Sequence, residues 1–277
     1  MSNSKPDLYL DPVPMDLVWE DPWANVKRMR EEIVQRLKHH PEIKSEDRIF
    51  VFPEMTLTGF DTAHAETVAL DRNSEVIQSV HALARELKTA IVFGFPERGA
   101  SKRPVNTLLF VDSSGEEIAD YQKMHLYTGA LPGAPSEPDM YDCGKAGVIV
   151  EYRGWKIGLA ICFDLRFPQL FHAYAEEGAD LVLQIASWIP GPLKSYQFQT
   201  LSAAHAIMGQ YYFLSVNRSG QQSAFTFDGE ALVYSPKGER MAGEAPYRIS
   251  EIALHEARGL AVRASDQEAY PVILAKT

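Results

Sequence analysis

Short apolar runs and longer amphipathic stretches alternate along this chain, and these two patterns predict strands and helices respectively. Strands are predicted where a run is almost wholly apolar, at Leu8–Val13, Ile49–Pro53, Ala90–Phe95, Asp180–Ser187 and Tyr211–Val216. Helices are predicted where apolar residues recur at helical spacing, from Pro22 to about Lys38 and at Asn73–Lys88, Gln169–Glu177 and Ser195–Gln210. Because strands alternate with single helices, we expect an α/β fold with mixed sheets.

Further strands are predicted on either side of turn residues. Val105–Val111 and Ile118–Tyr121 flank a turn at Ser113–Gly115, and Val148–Tyr152 and Lys156–Ile161 flank a turn at Arg153–Gly154. Ala224–Tyr234 and Arg248–Leu254 are predicted to flank a turn at Pro236–Gly238. The segment from Lys123 to Cys143 is instead predicted to be a loop, because its prolines prevent long regular elements. A loop of about 20 residues is uncommon in a compact domain, which indicates a functional one.

Composition and charge limit the classes of partner that this chain is expected to bind. Its 277 residues, 45% of them hydrophobic, can bury a full core, and no long linker interrupts them, so we expect residues 1–277 to form one domain. A net charge of −10 argues against nucleic acid or an anionic membrane as a partner, because phosphate binding needs a basic face. The expected partner is therefore a small molecule or another protein.

The N-terminus and the cysteines indicate a compartment. The first residues lack an apolar signal segment, and no run reaches the roughly 18 apolar residues that a membrane helix needs. Cys143 and Cys162 can pair only once, which is not a secreted disulfide framework, so we expect free thiols in the cytoplasm. The histidines show no spacing typical of zinc, and neither a metal nor another cofactor is expected.

The stretch Ile157–Pro168 places a cysteine between an apolar strand and the start of a helix. Polar Asp164 and Arg166 cannot continue a buried strand, so the chain must turn at Cys162. Backbone N–H groups and the helix dipole at such a turn favour the thiolate, the form that attacks carbon electrophiles. The alternative is a small buried hydrophobe, which is what most free cysteines are. On this stretch alone both interpretations stay open.

Three ionisable residues end three of the predicted strands, namely Glu54, Lys123 and Cys162. If those strands are neighbours in sheets, their ends converge on one spot. Together they suffice for acyl transfer, since a carboxylate accepts the thiol proton and an ammonium holds the oxyanion that forms on attack. Each residue also has a plainer interpretation, because a single Glu or Lys at a strand end is usually a solvated loop residue.

The segments around these residues read Phe52–Met55 with Thr58–Phe60, Tyr121–Leu126 and Ile161–Pro168. In order and spacing they resemble the three motif regions of the nitrilase superfamily, the carbon–nitrogen hydrolases, across nearly the whole chain. Smaller likenesses lie at Trp19–Pro22, Asn217–Gly220 and Ser235–Gly238. The resemblance implies a Glu–Lys–Cys triad in a four-layer α-β-β-α sandwich that usually pairs into homodimers or larger assemblies.

The resemblance also implies roles for residues around the triad. Many members carry a second Glu between the Lys and the Cys, for which Glu137 is the candidate and Asp139 its nearest rival. The turn is most similar to that of omega-amidases, although Phe163 stands where Tyr is usual, and its backbone N–H is expected to help hold the oxyanion. Arg166 is then expected to bind the far carboxylate of a dicarboxylic monoamide, and Trp188 to wall the substrate pocket.

These last assignments have alternatives. In the alternative interpretation, Arg166 pairs with Asp164 or with a helix end, and Trp188 is an ordinary packing residue. The helix that often reads Arg-Ala-x-Glu-Asn in the family is His205–Gly209 here, and Pro14 stands where Gln is common, which leaves substrate preference and assembly open. The leading function is a thiol amidohydrolase that releases ammonia from a small amide. The alternatives are a nitrile or N-carbamoyl hydrolase and a silent binding member of the family.

Overall fold

The strands form two mixed sheets. The computed structural model describes residues 5–61, 63–129, 135–222 and 225–260. Within these residues the strands are β1 (Leu8–Pro12), β2 (Arg48–Val51), β3 (Ala90–Glu97), β4 (Val105–Val111), β5 (Glu117–Gln122), β6 (Ile149–Tyr152), β7 (Trp155–Ile161), β8 (Leu181–Ala186), β9 (Tyr212–Asn217), β10 (Ser219–Gln222), β11 (Phe225–Asp228), β12 (Ala231–Tyr234) and β13 (Tyr247–Ile249). The first sheet has the order β13-β1-β2-β3-β4-β5 and the second β12-β9-β8-β7-β6, while β10 and β11 pair separately.

Each sheet combines parallel pairings at its centre with antiparallel pairings at its margins. In the first sheet β1, β2 and β3 run parallel, and β13, β4 and β5 add antiparallel pairings. In the second sheet β7, β8 and β9 run parallel, while β6 and β12 pair antiparallel at the edges. Two of the predicted hairpins, β4 with β5 and β6 with β7, are confirmed.

Helices cover the outer faces of both sheets. They are α1 (Pro22–His39), α2 (Ala65–Val68), α3 (Glu75–Leu87), α4 (Glu137–Met140), α5 (Pro168–Glu176), α6 (Lys194–Gly209) and α7 (Glu251–Leu260), with 3-10 helices at Ser45–Asp47 and Cys162–Arg166. Asp21 caps α1 by accepting a hydrogen bond from the backbone N–H of Ala24 at 3.0 Å. Among the described residues, no helix is long and apolar enough to cross a membrane.

The side chains of the first sheet alternate between two apolar layers, as the period of a strand requires. Phe50 and Phe93 belong to the cluster that includes the inner faces of α1 and α3. Ile49, Val51 and Val92 belong to the cluster that contains the second sheet, together with α5 and α6. The layers are therefore helix, sheet, sheet and helix, which confirms the expected α-β-β-α sandwich.

The predictions for the C-terminal third are partly wrong. The segment predicted as one strand from Ala224 to Tyr234 is divided into β11 and β12 at Gly229, whose φ of +70° a strand does not accommodate; Ala224 itself lies outside the described residues. The strand predicted at Arg248–Leu254 ends at Ile249, and α7 follows because Leu254 and Ala257 lie on one buried helical face. β12 and β13 lie in different sheets, so Pro236–Gly238 is not the turn of a hairpin between them.

A buried ion pair joins the first two strands. The Arg48 guanidinium donates from Nε and Nη2 to the two oxygens of Asp11, both at 2.8 Å, and both side chains are fully buried. Its Nη1 donates to the backbone carbonyl of Arg36 at 3.1 Å, which connects the pair to α1. Removing one partner leaves a charge in an apolar interior without compensation.

We therefore expect Asp11→Ala to lower the free energy of unfolding by about 3 to 5 kcal/mol, measured by urea denaturation. The matched control is Glu31→Ala, which breaks the exposed Lys27–Glu31 pair of α1 and is expected to leave the denaturation midpoint unchanged. If both variants unfold at the wild-type midpoint, the buried pair contributes nothing to stability.

Candidate active site

Glu54 lies just beyond the end of β2 and is fully buried. Its Oε1 accepts hydrogen bonds from Lys123 Nζ at 2.9 Å and from Asn106 Nδ2 at 2.7 Å, and its Oε2 accepts one from the backbone N–H of Ser187 at 2.7 Å. Gly94 of β3 permits this placement, because a Cβ there would lie 2.8 Å from the backbone nitrogen of Met55. The carboxylate is thus fixed by donors from three segments.

Lys123 follows β5, and its ammonium lies between two carboxylates. Nζ is 2.9 Å from Glu54 and 2.9 Å from each oxygen of Glu137, the first residue of α4. Glu137 also accepts a hydrogen bond from the backbone N–H of Tyr127 at 2.6 Å. The rival Asp139 instead caps α4 through Ser136, so it is Glu137 that contacts the lysine.

The electrostatics of this group keep the ammonium charged. Burial by itself lowers the pKa of Lys123, but the carboxylates of Glu137 and Glu54 outweigh burial and raise that pKa well above its usual value. The lysine therefore stays an ammonium throughout the physiological range. It is a fixed positive charge at the floor of the site.

Cys162 comes directly after β7 and opens the 3-10 helix Cys162–Arg166, which we call the nucleophile turn. Its φ of +46° is unusual for a residue with a side chain, and such strain is found most often at functional sites. Burial and the nearby Glu54 carboxylate raise the pKa of the Cys162 thiol well above its usual value, and Lys123 only partly opposes them. This direction is opposite to the expectation that the turn favours the thiolate, because burial and the Glu54 carboxylate favour the neutral thiol.

The strands that carry these three residues are not direct neighbours. β2 and β5 belong to the first sheet with two strands between them, and β7 belongs to the second sheet. The strand ends converge because the sheets face each other, so the predicted meeting of Glu54, Lys123 and Cys162 depends on the packing of the sandwich.

A pocket of about 360 Å³ opens above the thiol. It contains all three members of the predicted triad as well as the predicted Phe163, Arg166 and Trp188, and it is lined by Glu54, Phe60, Lys123, Tyr127, Cys162, Phe163, Arg166, Ser187, Trp188, Ile189 and Lys194. Glu137 lies behind the ammonium rather than in the wall. The structure thus brings the predicted site residues together at one place.

Trp188 and Arg166 form part of the pocket wall. The backbone N–H of Trp188 donates to Asn217 Oδ1 at 2.7 Å, and its indole N–H donates to the carbonyl of Lys194 at 3.0 Å. The Arg166 guanidinium lies 4.8 Å from the centroid of the Trp188 ring, and its Nη2 donates to Gln197 Oε1 at 2.6 Å. Arg166 therefore forms part of the pocket and does not pair with Asp164.

The sequence model of the carbon-nitrogen hydrolase family matches residues 11–258. The chain belongs to the carbon-nitrogen hydrolase family. This match covers almost all of both sheets and every element that carries a pocket residue. The protein is accordingly an enzyme of carbon–nitrogen bond hydrolysis.

Named relatives of this carbon-nitrogen hydrolase include amidases. It is 31% identical over 249 residues to omega-amidase YafV of Escherichia coli strain K12, covering 89% of each chain. It is 27% identical over 228 residues to 2-oxoglutaramate amidase of Bacillus subtilis strain 168, covering 82% of each chain. In structure it resembles a CN-hydrolase superfamily protein from Xanthomonas campestris, with a TM-score of 0.81, 24% identity, and coverage of 96% of this chain and 99% of that one. The last likeness shows a shared fold.

The helix that departs from the family pattern contacts the nucleophile turn of the hydrolase. His205 is buried, its Nε2 lies 2.9 Å from the carbonyl oxygen of Leu165, and its ring stacks on Phe171 at 3.9 Å. Burial lowers the pKa of His205, which favours the neutral imidazole that donates to this carbonyl. Ile207 and Met208, further along the same helix, are about half exposed, at 54% and 48%.

One carboxylate and imidazole group has the spacing of a metal site among the described residues. Glu20, Asp61 and His64 each offer a ligand atom within 4.8 Å of the others. None of the three lines the pocket of the hydrolase, and the Asp61 carboxylate accepts hydrogen bonds from the indole N–H of Trp19 and the backbone N–H of Ala63. These hydrogen bonds fix the orientation of the Asp61 carboxylate within the cluster.

Sequence analysis missed three polar residues of the site. Asn106 donates to both Glu54 and Glu137, and Ser187 donates to Glu54. The available signal for Asn106 is its place, with Thr107, in a predicted strand whose other residues are all apolar. Lys194 begins a helix far along the chain, and nothing in its local sequence distinguishes it from a solvated lysine.

Asp164 holds the nucleophile turn of the hydrolase in place through hydrogen bonds. Its fully buried carboxylate accepts hydrogen bonds from the backbone N–H of Ile161 at 2.9 Å and from Tyr121 Oη at 2.7 Å. The Oδ1 atom of Asp164 accepts a hydrogen bond from the backbone N–H of His125 at 3.0 Å, and the ring Nδ1 of His125 lies 2.7 Å from the same oxygen. One side chain thereby holds the segment of the lysine against the turn of the thiol.

We expect Asp164→Asn to reduce kcat for ammonia release by about 100-fold with a much smaller change in KM, because an amide cannot accept all these donors and the reacting groups shift. Circular dichroism and the thermal midpoint check that the variant folds. A milder variant, His125→Phe, keeps an aromatic ring to stack on Phe167 and is expected to show a smaller loss of kcat. Unchanged kcat in both variants would show that Asp164 has no positioning role.

Proposed function

We propose that the protein is a thiol amidohydrolase that cleaves a small amide through a thioester on Cys162. The observation that carries this proposal is the common pocket of Glu54, Lys123 and Cys162, with the ammonium 2.9 Å from the carboxylate. The family membership establishes carbon–nitrogen hydrolysis, and the arrangement supplies a nucleophile, a base and an electrophilic group for it.

In the first step the Cys162 sulfur attacks the amide carbon, and Glu54 accepts the thiol proton. Because the thiol is neutral at rest, proton transfer accompanies the attack, which is general-base catalysis. The Lys123 ammonium stabilises the oxyanion, and the backbone N–H of Phe163, at the start of the nucleophile turn, is the second donor. The tetrahedral adduct then expels the amine, which takes the proton from Glu54 and leaves as ammonia.

In the second step water hydrolyses the thioester. Glu54 takes a proton from the water as it attacks, and this proton returns to the departing Cys162 sulfur. The overall reaction consumes one amide and one water and yields a carboxylic acid and ammonia. No redox or metal chemistry enters this balance.

Glu137 acts in this proposal as a positioning residue. Both of its oxygens contact Lys123, and one also accepts the N–H of Tyr127, so it has no free position from which to meet the substrate. Its negative charge keeps the lysine protonated and aimed toward the thiol. Without it, the ammonium would retain only the Glu54 carboxylate as a counter-charge.

The substrate we propose is a short ω-amide of a dicarboxylic acid. The pocket has aromatic walls, and the Arg166 guanidinium lies in its lining beside Trp188. A guanidinium fits a carboxylate in a bidentate manner. The names of two relatives, omega-amidase and 2-oxoglutaramate amidase, agree with an amide that carries a carboxylate.

Cys162→Ala is expected to abolish ammonia release, because it removes the nucleophile while changing little volume. Cys143→Ala is the matched control, since this other cysteine is exposed and is expected to be dispensable. The assay compares short ω-amides with a nitrile and an N-carbamoyl compound of equal length. Mass spectrometry of wild-type enzyme quenched during turnover is expected to show an acyl adduct on Cys162, and full activity in Cys162→Ala would refute the mechanism.

Arg166→Lys tests the carboxylate partner. It keeps the charge but loses the two-pronged geometry, so we expect KM for succinamate to rise about tenfold, equivalent to ~1.4 kcal/mol. Butyramide, a neutral amide of the same length, is expected to be hardly affected. An equal loss on both amides would mean that Arg166 only supports the turn.

A further inference from the structure

Two cations belong to the lining of the pocket. Arg166 and Lys194 both line it, and both lie against Trp188, with the guanidinium 4.8 Å and the ammonium 5.6 Å from its ring centroid. The same ammonium is 5.7 Å from the ring of Tyr127. Trp188 thus lies beside both positive charges.

Neither cation has a carboxylate partner within the described part of the chain. Arg166 donates to the uncharged amide of Gln197, and Lys194 faces the two aromatic rings. The carboxylates that act on the Cys162 thiol, Glu54 and Glu137, are already held by Lys123. The pocket therefore carries positive charge at Arg166 and Lys194 that a bound anion would neutralise.

The environment of Lys194 agrees with this picture. Partial burial and the charge of Arg166 lower the pKa of the Lys194 ammonium. Two like charges in one partly buried place repel each other, and an anion between them relieves that repulsion. A carboxylate bound there gains from both cations at once.

The backbone of Lys194 is fixed although its side chain has no ion-pair partner. It is the first residue of α6, its backbone N–H donates to the carbonyl of Gly191 at 3.0 Å, and its own carbonyl accepts the indole N–H of Trp188. The preceding Leu193 has a φ of +61°, which sets the direction in which the helix begins. A flexible lysine stem on a fixed base can reach a ligand without moving the pocket wall.

We infer that Lys194 is a specificity-determining residue that binds the substrate carboxylate together with Arg166. The guanidinium supplies the geometry, because Gln197 holds it in place, and the lysine supplies a second charge on a mobile stem. This inference rests on the proposed function and deepens it. It names a second recognition element for an anionic short amide.

The test compares succinamate with butyramide in four enzymes, namely the wild type, Lys194→Gln, Lys194→Arg and Lys27→Gln. Lys194→Gln keeps a polar stem without charge and is expected to raise KM for succinamate about tenfold, with kcat little changed and butyramide unaffected. Lys194→Arg restores a cation and is expected to recover most of the affinity. Lys27, an exposed lysine of α1, is the matched control for loss of a positive charge.

Two outcomes would overturn the inference. An equal rise in KM for both amides would show that Lys194 only supports Trp188 and the shape of the pocket. Unchanged KM for succinamate in Lys194→Gln would show that the lysine does not meet the carboxylate.

A binding measurement separates this inference from the proposed function. Succinamate is titrated calorimetrically into Cys162→Ala and into Cys162→Ala/Lys194→Gln, where no turnover is expected. About tenfold weaker binding in the double variant supports the role of Lys194 in carboxylate binding even if the wild type releases no ammonia. In that case the proposed function alone fails. Equal binding by both variants, alongside normal wild-type turnover, overturns the inference about Lys194 and does not contradict the proposed function.

Discussion

The site depends on one buried ammonium held between two buried carboxylates. Lys123 is 1% exposed, and its Nζ lies 2.9 Å from both Glu54 and Glu137. Removing three charges from water is costly, and only close, well-directed contacts offset that cost. The additional donors Asn106 and Ser187 complete the hydrogen bonds of Glu54. This satisfied network fixes the positions of the Glu54 carboxylate and the Lys123 ammonium.

The pKa of the Cys162 thiol follows from burial and from the charges of this network. Burial favours the neutral thiol, and two carboxylates with one ammonium leave an excess negative charge that a thiolate would increase. Both effects raise the pKa of the thiol, and Lys123 only partly opposes them. Arg166 and Lys194 add two positive charges to the lining of the same pocket.

The two sheets must pack face to face for the site to exist. Glu54 and Lys123 follow strands of the first sheet, whereas Cys162 follows a strand of the second. Asp164 joins the two halves directly, because it accepts hydrogen bonds from Tyr121 in the first sheet and from Ile161 in the second. The apolar layer between the sheets thus sets the distance between Cys162 and Lys123, and the polar contacts refine it.

The sequence by itself determined the α/β class, most of the strands and helices, and the identity of the three residues at strand ends. These features follow from local periodicity and from motif order, which need no knowledge of the tertiary structure. The tertiary structure decided what depends on distant contacts: Glu137 rather than Asp139 beside Lys123, the contacts of Asn106 and Lys194, and the raised pKa of the Cys162 thiol. It also corrected the C-terminal third, where β12 and β13 join different sheets and a helix replaces part of a predicted strand. Burial and charge at a site are sums over segments far apart in the chain, so no local pattern specifies them.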